Sequence, residues 1–166
     1  GHVARALVAA GDQGLVHRDL KPENVLLAST AKGDCLAKVT DFGIAKLIGP
    51  ENETEPSLTA TGMTVGTPAY MAPEQVEGVR VDARTDLYAL GCMLHECVMG
   101  EPPFGADDQA SLLAEHLVTR APKLPDLLPS GDALPEALGV LHDALLAKSP
   151  RDRPSSARPG VKVLSA

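Results

Sequence analysis

The run His17-Arg18-Asp19-Leu20-Lys21-Pro22-Glu23-Asn24 puts a carboxylate at Asp19, an ammonium two residues on at Lys21 and a carboxamide at Asn24. The apolar Val25-Leu26-Leu27-Ala28 follows at once. Pro22 has no N–H, and its ring disfavours helical backbone at Lys21, so the run reads as a loop. A loop can aim alternate side chains at one point: a base for a hydroxyl proton, a positive charge for a phosphate, an oxygen for a metal. Phosphoryl transfer needs those parts, because its chemistry is mostly positioning and charge neutralisation. Taken alone, the run has a plainer alternative, a polar loop without that task.

Composition sets the frame around it. The chain has 166 residues, enough for one domain with a real core, and 44% of them are hydrophobic. Aromatics make up only 2%, with no Trp, so the core must be built from Leu, Val, Ala and Met. A net charge of −7 and the lack of any long basic run argue against nucleic acid as a partner. No stretch approaches the roughly 18 apolar residues of a membrane span, and no signal peptide is visible. Cys35, Cys92 and Cys97 are odd in number and spaced unlike a zinc site. Reduced structural thiols and a cytoplasmic location are expected.

Outward from the loop, residues 2–10 read as the end of an Ala-rich helix with Val3, Leu7 and Ala10 on one face, stopped by Gly11 and Gly14. No start signal precedes it, so residue 1 is not expected to be a natural domain boundary. Residues 24–28 and 35–40 read as two short strands around Lys32-Gly33-Asp34. A turn centred between Lys32 and Gly33 sets Asn24 opposite Asp41, a carboxamide and a carboxylate suited to magnesium. From Gly43 to Pro73 the chain loses periodicity, and a loop of about thirty residues in a compact domain tends to be functional. Residues 84–99 form the clearest helix, with almost no polar face, ended by Gly100 and Pro102-Pro103. Asp86 near its start is either an unusual buried charge or a complement to the helix dipole. His95 and Glu96 read as a polar strip near the surface. They do not make a zinc pair, because His116 and His142 are remote in sequence. Residues 107–119 read as an amphipathic helix and 121–135 as a Pro-rich connector. A further helix over 136–148 turns Leu138, Leu141, Leu145 and Leu146 inward.

Residues 17–24, Asp41-Phe42-Gly43, Gly66-Thr67-Pro68-Ala69-Tyr70-Met71-Ala72-Pro73-Glu74 and Arg151-Asp152-Arg153-Pro154 together resemble the motifs of the eukaryotic-like, bacterial-type serine/threonine protein kinase family, in that order. The resemblance implies ATP and Mg2+ as cofactors and protein Ser/Thr hydroxyls as substrate. It implies that Asp19 accepts the hydroxyl proton, Lys21 meets the γ-phosphate, Asn24 and Asp41 hold magnesium, and Leu26 lies beneath the adenine. Residues 41–74 would be the activation segment, with Thr61 and Thr64 as phosphorylated positions paired to Arg18, and Thr67 bonded to Asp19 at the substrate site. His17, Phe42 and Gly43 would be structural. Asp86 would accept bonds from the catalytic-loop backbone, and Arg153 would form a buried bidentate pair with Glu74, where a solvated basic turn is the plain alternative.

The resemblance extends over nearly the whole chain but only to the family's C-terminal lobe: a mainly α unit with one short β-hairpin, cut from an α+β fold. No Gly-x-Gly-x-x-Gly, and no Val-Ala-Ile-Lys-like strand, stands before His17. Pro159-Gly160 interrupt the family's last helix. The expected function is Ser/Thr phosphorylation as the lower half of a kinase, the chain alone having little activity. A non-catalytic binding module and a truncated gene fragment are the alternatives.

Overall fold

The structure is a computed structural model that describes residues 1–29, 33–42, 68–128 and 130–165. Helix α1 spans His2–Gly11, and a loop carries the chain to a single 3-10 turn at Pro22–Asn24. The hairpin β1 (Val25–Ser29) and β2 (Cys35–Val39) follows. After a 3-10 turn at Pro68–Tyr70 come α2 (Pro73–Val76), α3 (Ala83–Met99), α4 (Gln109–Val118), α5 (Glu136–Leu145), a 3-10 turn at Pro150–Asp152 and α6 (Arg158–Val163). Among the described residues no helix is long and apolar enough to cross a membrane.

Helix α3 is the axis. Asp82 caps it by accepting from the Arg84 N–H, and Gly100 closes it in the left-handed conformation at φ 84°. Every residue from Thr85 to His95 is buried, because α1, α5 and the 68–70 turn pack around it. Gly91 sets the closest approach: a Cβ there would stand 2.9 Å from the Leu145 Cβ and 3.0 Å from Leu146 Cδ2. Leu141, Leu145 and Leu146 bury against this face as the sequence predicts, although α5 itself stops at Leu145. In α1 the buried face is Ala4, Leu7 and Ala10, with Val3 only partly covered.

Three expectations are corrected. The hairpin pairs Val25 with Val39, so Asn24 faces Thr40 and not Asp41; the Thr40 N–H donates to the Asn24 carbonyl at 2.9 Å. The connection is the cause: the strands end at Ser29 and resume at Cys35, so an odd number of residues, five, separates them, where the expected turn centred between Lys32 and Gly33 needs an even number. The 3-10 turn at Pro22–Asn24, with the Asn24 N–H on the Lys21 carbonyl, only moves the start of β1 to Val25. His95 is buried and not on a surface strip: its Nδ1 lies 3.0 Å from His142 Nε2, and the two rings stack at 5.1 Å. Sequence distance hid a contact that antiparallel packing of α3 and α5 creates. The last helix also forms, since Pro159 falls in its first turn, where a missing N–H costs nothing. Gly160 is buried where the helix packs on Ala4; a Cβ at this position would stand 3.6 Å from the Ala4 Cβ, an ordinary contact.

Candidate functional site

The loop at residues 17–24 is held from below by α3. Asp86 sits in the first turn of that helix and is buried. Its Oδ2 accepts the His17 N–H at 2.7 Å and its Oδ1 accepts the Arg18 N–H at 2.9 Å. Burial pushes the Asp86 carboxyl above its ordinary range, and the two N–H donors pull against that. A helix-dipole role alone would not bring both oxygens onto loop amides.

His17 is the second anchor. Its ring is fully buried, and Nε2 donates to the Thr40 carbonyl at 2.8 Å. A carbonyl only accepts, so Nε2 carries the proton, and Nδ1 accepts the Asp19 N–H at 3.3 Å. The ring also packs on Phe42, with centroids 4.8 Å apart. One imidazole thus ties the loop to the end of β2.

The chemistry-bearing groups stand on this frame. Lys21 Nζ lies 3.0 Å from Asp19 Oδ2 in a partly exposed ion pair. Asn24 is buried, and its Nδ2 donates to the Asp19 carbonyl at 2.7 Å. Only nitrogen can donate there, so the amide orientation is fixed and the Asn24 oxygen is the end left for a ligand. Thr40 Oγ1 lies 3.3 Å from the Asn24 backbone carbonyl oxygen and 3.4 Å from Asp41 Oδ2, so this hydroxyl links the Asn24 main chain to the Asp41 carboxylate. A carboxamide oxygen and a carboxylate are hard donors of the kind magnesium takes alongside phosphate oxygens and water, so these residues fit that ion. Among the described residues no group of three or more His, Cys, Asp or Glu is placed to hold a metal. Leu26 lies 56% exposed on β1.

Arg18 and Asp41 are the non-glycine residues with positive φ among those described, at 67° and 56°. Both belong to the site, and strained backbone persists only where surrounding bonds hold it.

The sequence also expects an ion pair between Glu74 and Arg153, and the two side chains meet in the core. Arg153 donates from Nη1 to Glu74 Oε1 at 2.7 Å and from Nη2 to Oε2 at 2.8 Å. Its remaining N–H groups reach the carbonyls of Ala147, Arg84 and Lys148 at 2.8, 3.0 and 2.8 Å, so all its donor directions are used. Burial works to raise the Glu74 carboxyl. The Arg153 guanidinium and the Thr85 hydroxyl, which donates to Oε1 at 2.7 Å, outweigh it and hold the carboxyl below its ordinary value.

Sequence reasoning did not single out Thr85, Thr40 or Gln75. Gln75 could have been found: it is the third residue of a helix opened by Pro73, where Gln side chains reach back to the cap N–H. Gly43, Thr61, Thr64 and Thr67 lie outside the described residues.

The sequence matches the protein kinase domain family over residues 1–162. It is 45% identical over 153 residues to the DNA damage-responsive serine/threonine-protein kinase RqkA of Deinococcus radiodurans, an overlap of 92% of this chain and 21% of that protein. To the serine/threonine-protein kinase PknD of Mycobacterium tuberculosis it is 43% identical over 155 residues, 93% of this chain and 22% of the relative. To the serine/threonine-protein kinase PkaA of Streptomyces coelicolor it is 42% identical over 154 residues, 93% and 26% respectively. The chain thus spans about a fifth to a quarter of the length of these relatives. With the match running over nearly every residue described above, this chain belongs to the protein kinase domain family.

Proposed function

We propose that residues 1–166 act as the C-terminal lobe of a serine/threonine protein kinase that phosphorylates Ser and Thr hydroxyls of proteins. ATP with Mg2+ supplies the phosphoryl group and offsets its charge. The observation that carries the reading is the bonding of one loop by Asp86 and His17, which holds Asp19, Lys21 and Asn24 on the same frame as Asp41. Asp19 takes the proton of the substrate hydroxyl, Lys21 leaves its pair with Asp19 to meet the γ-phosphate, and the oxygens of Asn24 and Asp41 hold the metal. Leu26 meets the adenine. Residues 41–74 serve as the activation segment, with Thr61 and Thr64 as phosphate acceptors, and Thr67 at the substrate hydroxyl. Protein substrates and ATP, rather than nucleic acid, are the partners, and the cytoplasm is the place of action.

The test is phosphate transfer from Mg-ATP to Ser- and Thr-containing peptides by the full-length gene product. Asp19→Ala should lower kcat by about 10²- to 10⁴-fold, the range of a lost general base. Transfer to neither residue type, or transfer indifferent to Asp19→Ala, overturns the reading. Residues 1–166 alone are expected to transfer little phosphate, because the elements with which the family grips the triphosphate are not among them. Robust transfer by the isolated chain, abolished by Asp19→Ala, would contradict that.

A further inference from the structure

The geometry points to Gln75 as a positioning residue: its carboxamide clamps the peptide unit between Arg18 and Asp19 to the first turn of α2. The inference rests on the phosphotransfer role proposed for Asp19. Arg18 occupies the left-handed region at φ 67°, which side chains other than glycine disfavour. It is held there from both sides. Its N–H donates to Asp86 Oδ1 at 2.9 Å, and its carbonyl accepts from Gln75 Nε2 at 2.7 Å. The Arg18 carbonyl and the Asp19 N–H share one rigid peptide plane, so whatever fixes the carbonyl fixes the plane from which Asp19 hangs. The other end of that plane has a weaker hold, the 3.3 Å bond from the Asp19 N–H to His17 Nδ1.

Gln75 is itself oriented before it reaches the loop. Its Oε1 accepts the Ala72 N–H at 3.1 Å, so the amide nitrogen must face Arg18. Its neighbour Glu74 is the one locked to Arg153. Anchoring of α2 therefore reaches the peptide before Asp19 through the Gln75 side chain. The loop receives a second input through His17, which packs on Phe42 at 4.8 Å.

Gln75→Glu separates positioning from scaffolding. A carboxylate still accepts the Ala72 N–H and keeps the turn capped, but it has no donor for the Arg18 carbonyl and sets oxygen against oxygen. Alanine is a poorer probe. A cavity of about 20 Å³ lined by Arg18, Asp19, Gln75, Thr85 and Asp86 would admit a water to replace the lost amide.

In the full-length gene product, Q75E should lower kcat about 10- to 100-fold with KM for ATP within about twofold and the melting temperature lowered by no more than about 5 °C. Amides of residues 17–20 should exchange with deuterium about tenfold faster. Wild-type kcat together with wild-type exchange at residues 17–20 overturns the inference. So does a kcat loss with unchanged exchange there. If Q75E does not fold, Q75M, which removes the donor and the Ala72 N–H acceptor together without adding charge, must show the same loss of kcat and the same faster exchange. Wild-type values in Q75M overturn it equally. Failure of the wild-type protein to transfer phosphate would remove the proposed function alone, because exchange at residues 17–20 still decides whether Gln75 holds the peptide.

Discussion

Glu74 and Arg158 both belong to ion pairs with short bonds, yet burial makes them unequal. Glu74 is 3% exposed and meets Arg153 with two oxygens, while Arg158 Nη2 reaches Asp12 at 2.9 Å with both side chains more than half exposed. Removing one partner of a buried pair strands a charge in the core, which costs about 3–5 kcal/mol. An exposed pair is screened by water and contributes about 0–1 kcal/mol. Glu74→Gln should therefore lower the unfolding free energy by several kcal/mol, read as the shift in a urea midpoint, while Asp12→Asn moves it by under about 1 kcal/mol. Equal shifts for the two would refute the burial argument. The expected Glu74–Arg153 contact came from the resemblance to the kinase family's motifs, whereas Thr85, the third member, was not foreseen: nothing in a buried helix marks which hydroxyl turns toward a neighbouring carboxylate.

Elements were most legible where an end carries a strong signal. Helix α3 was placed to within a residue because its apolar run stops at Gly100 and Pro102-Pro103; the cap by Asp82 is a start signal that sequence reasoning did not use. The hairpin was found but its register slipped by one, since five residues separate β1 from β2 and the expected two-residue-centred turn allows only an even number. A slip of one residue reverses which side chains share a face, so the expected opposition of Asn24 and Asp41 gave way to a link from the Asn24 backbone carbonyl to the Asp41 carboxylate through the Thr40 hydroxyl. The contact between α3 and α5 was less visible still, because a glycine inside a helix does not say what approaches it. At Gly91 it is Leu145, 2.9 Å from where a Cβ would sit, on backbone-anchored atoms that cannot swing away. Gly91→Ala would gain helix propensity of up to about 1 kcal/mol but would force α5 outward, and overpacking costs about 1–3 kcal/mol. Net destabilisation is expected, with hydrogen exchange in α5 accelerating. A rise in melting temperature would mean that the two helices part at no cost.

Across the whole molecule, the core where α3, α4 and α5 meet is built around histidines that must stay uncharged. His116 Nδ1 lies 3.0 Å from the Tyr88 hydroxyl, and Lys148 Nζ sits on the His116 and Glu115 carbonyls at 2.8 and 3.2 Å. Burial first, and then the Lys148 ammonium, pull the His116 imidazolium down to about 4 from the ordinary 6.5. Burial likewise lowers His95 and His142, whose shared contact leaves no room for two protonated rings. A depressed histidine binds fewer protons folded than unfolded. Its contribution is therefore complete above pH 6.5 and is lost as the pH falls toward 4. Glu74 adds a separate loss at lower pH, because its depressed carboxyl stabilises the fold above its ordinary value of 4.5 and fails as the pH drops through its folded value. Stability should thus decline in two stages, the first belonging to the helical core and the second to the anchor of α2. His116 alone is worth on the order of 3 kcal/mol over the first stage. Urea unfolding at a series of pH values tests this: His116→Gln should flatten the slope between pH 6.5 and 4 while leaving the steeper acid limb in place. An unchanged slope in that variant would place the acid sensitivity elsewhere than in the His116–Tyr88–Lys148 contact.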